Sequence, residues 1–463
     1  MDFHGRVKSL ETVNGGVMTK FLKTAIIPIL ILFIRPAGLN FNQSMVLATL
    51  TLTIILWTTG IVNKMYASIF MLAMFVMFGQ TPITVIFDFP ASETFVMIVF
   101  SYIFSQGISN SGLAQRLLEP YLYKHGSNYR KLLIIMLILQ FAMIFVIPQP
   151  FSRIIILSII MREYFNGINL PEKSKNSLMF WMHGSSVFIN MALIKGDLIL
   201  NNALLNIAGI QMSELTWMKY MAVPSLIFYF TAAAGFIFIF KDDLKMYNDC
   251  EKEANLEMDE LSGKDKVNLS IIALVVIIWA TEGIHGLSGT IVVIAGSLAM
   301  FLNRLLKADD LKCVDIKLLV FLTAAFSIGK VMTYSGTSDL LFSSFTKIFP
   351  SEFNTVYIMI TIMASMALHM ILGSNITTLS VVLPGLLLIS SGTADPFILM
   401  FITYIAVCAH FVLPFHQVIV LIGNGNMLFP SSTIIKYAPM LTALVIVSIF
   451  LVYRTWWIMM GAL

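Results

Sequence analysis

Two short polar clusters interrupt apolar sequence in this chain, and both hold residues suited to small ions. The first is Gln149-Pro150-Phe151-Ser152-Arg153, followed by the run IIILSII. The second is Ser374-Asn375-Ile376-Thr377-Thr378, followed by LSVVLP. At a helix break, amide and hydroxyl oxygens supply neutral ligands for a hard cation, and free backbone N–H groups suit a carboxylate. Ser374, Asn375 and Thr378 are therefore candidate ligands for a hard cation. Ser374, Asn375, Thr377 and Thr378 are candidate contacts for an anion. The same residue types are ordinary helix N-caps, so a cap and a binding loop are one object here. Arg153 is an ionisable residue within an apolar run, which marks a functional site by default. With Gln149 and Ser152 beside it, its guanidinium can clamp a carboxylate bidentately. The plainer alternatives are snorkelling to the membrane surface or an ion pair, for instance with Asp197.

Two further groups join these. Lys195 and Asp197 stand two apart in the apolar stretch 177–207, so they do not share a face on a regular helix. Gly196 between them, and Asn201-Asn202 beyond, predict a second break. Lys195, Asp197 and, one turn earlier, Asn190 are candidate ion-coupling residues; an ion pair between helices is the plainer reading. His416-Gln417 follow Pro414, where another span is expected to unwind. His416 can titrate or donate to an anion, or be a satisfied buried histidine. His183, His369 and His410 read as packing residues. No HExxH, P-loop or GxSxG stands in a usable context, and no nucleophile–base cluster is visible. Nucleotide-driven pumping and lipid-directed enzyme chemistry are therefore unsupported.

The elements that must position these residues follow from composition. Of 463 residues, 58% are apolar and 12% charged, against roughly 45–50% and about 25% in soluble domains. Mean hydropathy is +0.87. Soluble, disordered and disulfide-scaffold classes are excluded, as is nucleic-acid binding. The net charge of +4 and three scattered cysteines (Cys250, Cys313, Cys408) carry no partner or metal signal. Spans need about 20 apolar residues. Broken backbone at membrane depth is tolerated only where protein or a water-filled cavity covers it. The pairs 130–148 with 150–162 and 354–372 with 376–391 therefore read as re-entrant hairpins. The expected fold is an all-α membrane protein of about eleven transmembrane helices plus two re-entrant hairpins. Spans at 67–86, 177–207, 396–413 and 433–458 belong to this count. The first apolar stretch is a span, not a cleavable signal. Lys and Arg segments place the N-terminus and the charged linker 241–268 in the cytoplasm of a multi-pass cell-membrane protein. That linker holds nine acids and five lysines.

The halves echo each other. Ser111-Gly112 and Ser335-Gly336 each precede a short amphipathic stretch and then a hairpin. An odd number of crossings per half makes these inverted-topology repeats. The division is 1–93, N-terminal scaffold helices; 94–240, first repeat with an inward-opening hairpin (130–162); 241–268, linker; 269–316, scaffold helices; and 317–463, second repeat with an outward-opening hairpin (354–391). Inverted repeats with broken helices meeting near the midplane mark secondary transporters.

The tip Ser374-Asn375-Ile376-Thr377-Thr378, with Pro384 beyond it, resembles the Ser-Asn-Thr signature of the divalent anion/sodium symporter family. Phe411-Val412-Leu413-Pro414 resembles that family's Phe-Met-Leu-Pro in the penultimate span. The order of spans matches over residues 45–458. The resemblance implies a homodimer with scaffold and mobile parts, elevator-type movement, dicarboxylate or related anion substrates, and sodium coupling. The chain departs from the pattern in three places. Ile376 replaces the signature Thr. The first hairpin carries Gln149 to Arg153 instead of the signature, which puts Arg153 near a site that the family fills with sodium. Lys195-Gly196-Asp197 and His416-Gln417 replace the Thr-Pro-Pro-Asn type segments. Sodium and protons thus both stand as coupling ions, with no other cofactor. The expected partners are a small anion, the bilayer and a second copy. The rival reading is a cation/proton antiporter or arsenite-type extruder of the same superfamily, using Lys195, Asp197 and Arg153.

Overall fold

A computed structural model describes residues 25–59, 61–147, 149–250, 262–281, 285–337, 340 and 348–463. Among these residues the secondary structure is helical, with no strand. In chain order the helices are α1 (Ala25–Ile34), α2 (Phe41–Thr59), α3 (Lys64–Phe78), α4 (Ile83–Ile86), α5 (Glu93–Ser111) and α6 (Leu113–His125). The first hairpin is α7 (Tyr129–Val146) with α8 (Pro150–Gly167), and α9 (Glu172–Asn190), α10 (Leu198–Ala208), α11 (Glu214–Ile239) and α12 (Lys241–Asn248) follow. Then come α13 (Gly263–Ala280), α14 (Gly289–Leu302) and α15 (Ile316–Tyr334). The second hairpin is α16 (Thr355–Leu372) with α17 (Asn375–Ile389), and α18 (Pro396–Cys408), α19 (Val418–Gly425) and α20 (Ser431–Ser448) close the chain.

Helix starts follow local capping chemistry. The side chains of Asn63, Asn128, Ser213, Asp315 and Asn354 each accept a backbone N–H of the first turn, satisfying donors a helix otherwise leaves orphaned. Among the described residues, three helices are long and apolar enough to cross a membrane: Tyr129–Val146, Glu214–Ile239 and Ser431–Met459. Seven shorter apolar helices accompany them.

Both expected pairs break near the expected positions, α7 from α8 and α16 from α17, although Pro148 lies outside the described residues. Three expected spans end early. The run 67–86 stops at Phe78, because Gln80 takes a left-handed φ of 49° and Pro82 follows. The stretch 177–207 breaks after Asn190. The stretch 396–413 ends at Cys408, five residues before Leu413. The last span runs through to Met459 across a π-helical turn, Ile449–Tyr453. Of the linker 241–268, residues 241–248 form α12 and α13 begins at Gly263; residues 251–261 lie outside the described residues. So does most of the amphipathic stretch after Gly336. The order hairpin, helix, break, short helix occurs twice: α7–α10 and α16–α19.

The chain forms two compact units, residues 1–92 with 315–403, and 93–314 with 404–463. In the first, α15 packs on α3 and α17. Trp57 meets Phe321 edge-on at 4.7 Å, and Phe89 meets Phe326 likewise. Gly329 lets α15 approach the ring of Pro384 in α17; a Cβ there would lie 3.1 Å from Pro384 Cγ. Tyr357 donates its hydroxyl to Ser390 and packs with Val382, Leu386 and Leu399.

The second unit contains two differently built groups. Around α9, aromatic rings interlock: Trp181 with Tyr229 and Phe236, Phe188 with Phe228, and Phe180 with Phe411, Phe429 and Tyr437. Gln140 of α7 ties into this group through Met182 O (2.7 Å). By contrast α5, α13 and α14 pack through glycine. A Cβ on Gly107 would collide with Met300, and one on Gly296 would lie 2.5 Å from Val275 Cγ2. Asn110 Nδ2 donates to Leu305 O (3.1 Å) beside them.

Candidate functional site

The two hairpin tips are built differently, and each is described within its own unit. In the first, Gln149 is the N-cap of α8 and accepts the N–H of Ser152. Pro150 follows at the first helical position, where no N–H is needed. One turn in, Arg153 points back to the break and is 4% exposed. Its Nη1 donates to Ile147 O (3.0 Å), and its Nη2 to Asn190 Oδ1 (3.0 Å) and to Gly196 O. Asp197 interacts with it through space. Snorkelling is thereby replaced by a buried guanidinium caged by neutral oxygens from two helix breaks. Gln149 Nε2, also buried, has no partner among the described residues.

The second of those breaks lies between α9 and α10. Residues Ile194–Asp197 form a 3-10 turn, and Asp197 caps α10 by accepting Leu200 N–H at 3.0 Å. Asn201 holds the turn from below. Its Nδ2 donates to Asn190 O, Leu193 O and Ile194 O, while its Oδ1 accepts the hydroxyl of Tyr404. From outside, Glu214 accepts the N–H groups of Ile194 (2.9 Å) and Lys195 (3.3 Å). Lys195 leaves this centre: its Nζ donates to Trp279 O at 2.8 Å and sits 4.9 Å from the centre of the Trp279 ring.

After α18 the chain unwinds, then forms a 3-10 turn at Pro414–His416. His416 Nδ1 accepts Val412 N–H and Leu413 N–H, both at 3.2 Å, so this nitrogen serves its own turn. Gln417 Nε2 donates to Cys408 O (3.2 Å). Asn190, Asp197, Tyr404, Cys408 and Gln417 line one cavity of about 10 Å³, close to the room one water needs.

In the first unit the second tip turns at Gly373, φ 64°. Ser374 is extended and makes no side-chain cap bond. Thr378 donates its hydroxyl to Ser374 O at 2.8 Å. Asn375 Oδ1 and Thr377 Oγ1 are buried and have no hydrogen-bond partner among the described residues. Buried polar atoms are normally paired, so these two oxygens are candidate ligands for a small cation.

The profile of the sodium:sulfate symporter transmembrane region matches residues 16–463. The chain belongs to this family. As a member of the sodium:sulfate symporter family it is a sodium-coupled anion transporter of the membrane and not an enzyme. No curated protein matches the chain.

Within the symporter's second unit, Arg153, Asn190, Asp197 and Gln417 come together. Lys195 and His416 do not join them. Ser152 stands beside the tip with its backbone bound to Gln149. Tyr404, Asn201 and Glu214 were not singled out for these contacts by the sequence, because their partners lie on other elements. His183 is a satisfied core histidine, bonded to Met179 O (2.8 Å) and Ser158 Oγ (3.2 Å). Gly196 is needed for close approach, since a Cβ there would collide with the carbonyl of Asn190. The neighbour is backbone and cannot give way. Gly196→Ala is expected to destabilise the transporter by about 3 kcal/mol, at the upper end of overpacking penalties. Thermal unfolding in detergent checks this, and an unchanged midpoint contradicts it.

Proposed function

We propose that this transporter carries a small dianion, a dicarboxylate or sulfate, coupled to sodium bound at Ser374, Asn375, Thr377 and Thr378. The observation that carries the reading is the pair of buried, unpartnered oxygens, Asn375 Oδ1 and Thr377 Oγ1, at the start of α17. Arg153 supports it as a fixed positive charge held at the other break, at the N-terminal end of α8, where the helix dipole also favours an anion. Movement is of the elevator type, the hairpins travelling with the broken helices, in a homodimer whose two repeats are inverted. Proton coupling is the second reading. It is favoured by Asp197, which lines a water-sized cavity with Gln417 and Tyr404.

Uptake of labelled succinate, malate, citrate and sulfate into proteoliposomes tests this, with a sodium gradient and with a pH gradient alone. Sodium-driven uptake of one anion is the expected result. Uptake driven by the pH gradient alone transfers the coupling role to Asp197. No uptake of any anion overturns the proposal.

We propose eleven crossings with a cytoplasmic N-terminus. Three contacts support one common face for the segments around 112–129, 172–177 and 241–265. Arg116 pairs with Asp265 (3.0 Å), Tyr129 N–H donates to Asn248 (2.9 Å) and Ser177 to Asp243 (2.6 Å). Cys250 and Cys313, both partly exposed, are then cytoplasmic. A membrane-impermeant maleimide is expected to label both in inside-out vesicles and neither in intact cells. Labelling of either from outside refutes the topology.

A further inference from the structure

We infer that Lys195 is a latch that holds the broken helix α9–α10 against the C-terminal end of α13 and must release during transport. The inference rests on the elevator reading above. Its basis is the difference between the two groups of the second unit. The group around α9 interlocks through aromatic rings, and the group α5, α13 and α14 through glycines. Each is tightly keyed within itself. Lys195 belongs to a turn fixed in the first group by Asn201 and Glu214, yet its ammonium reaches Trp279 O in the second.

Trp279 is the penultimate residue of α13. The last carbonyls of a helix lack internal donors and carry the negative end of its dipole, so an ammonium there is favourable. The indole face adds a cation–π contact at 4.9 Å. Both contacts are to neutral groups and both are short-range. A displacement of a few ångströms breaks them together, whereas apolar packing yields gradually. The latch therefore defines one end position sharply. Residue Asp265, near the start of α13, sits beside Arg116 on the proposed cytoplasmic face. Trp279 is then at the outer end, and the latched state is the outward one.

The test is a cross-link. Lys195→Cys and Trp279→Cys are combined in a protein whose Cys250, Cys313 and Cys408 are replaced by Ala, and joined with a short bifunctional thiosulfonate. A matching pair, Asn110→Cys with Leu305→Cys, lies within the α5–α14 group and serves as control. The linked latch pair is expected to lose at least tenfold in uptake and to regain it on reduction, while the linked control keeps its rate. Unimpaired uptake by the linked latch pair overturns the inference, as does failure of that pair to link. If the reduced double variant is itself inactive, Trp279 emission gives the second readout. Sodium with anion should change it in a protein whose other five tryptophans are replaced by Phe, and Lys195→Met in that protein should abolish the change. Its persistence in Lys195→Met overturns the latch. If the native protein takes up no anion while the pair still links, the transport proposal fails and the contact stands as a purely structural tie.

Discussion

Replacing Arg153 with methionine is expected to lower anion uptake at least about 100-fold and to weaken the fold as well. The guanidinium satisfies Ile147 O, Asn190 Oδ1 and Gly196 O in a buried setting. Each acceptor left unmatched costs roughly 1–3 kcal/mol. Removing one member of a buried charged network costs about 3–5 kcal/mol in all. Methionine keeps the stem's apolar contacts, so the loss reports the head group. Arg153→Lys should fall between the two, because an ammonium is a point donor and cannot fork toward three acceptors on separate segments. Uptake and thermal unfolding, measured on the same preparations, check both parts. Native-like uptake by Arg153→Met would falsify a functional role for this residue.

Asn375→Ala should behave in the opposite manner toward stability. Asn375 Oδ1 makes no hydrogen bond among the described residues although it is buried. Deleting an unmatched polar group removes a desolvation penalty instead of creating one. The midpoint of unfolding is expected to move little, while the sodium concentration for half-maximal uptake rises about tenfold or more. Thr377→Val, which removes the second orphaned oxygen at nearly constant volume, should do the same. A large fall in stability with unchanged sodium dependence would return both residues to a capping role. The two tips thus give opposite signatures, with function and stability lost together at Arg153 and function lost alone at Asn375.

The helix breaks were legible in the sequence because backbone chemistry writes them locally. Pro150, Gly373, Gly196 and Pro414 punctuate runs that are otherwise uniformly apolar, and broken backbone in a membrane is constrained enough to be informative. That alone places Arg153, Asn190, Asp197, Asn375 and Gln417 at breaks. What residues at a break reach across to was not legible. Lys195 is 84 positions from Trp279, and Tyr404 is 203 from Asn201. No periodicity records such pairings: spacing groups Lys195 with Asp197, whereas its ammonium goes to another helix. His416 illustrates the same limit at short range, since its Nδ1 serves two N–H groups of its own turn. The early end of α3 was missed for a different reason: hydropathy continues past Phe78, while the left-handed Gln80 and Pro82 do not allow the helix to.

The turn at Ile194–Asp197 has an electrical consequence. Arg153, Lys195, Asp197 and Glu214 all lie on it or bond to it, and their formal charges sum to zero. Moving one elementary charge across the membrane potential is worth about 2.3 kcal/mol per 100 mV. On the elevator reading proposed above, a turn of zero net charge adds none of that to the empty return. The charge moved in that empty return is then small, whereas the net current of a full cycle, to which a returning carrier's own charges never add, is set by the sodium ions less the charge of the anion.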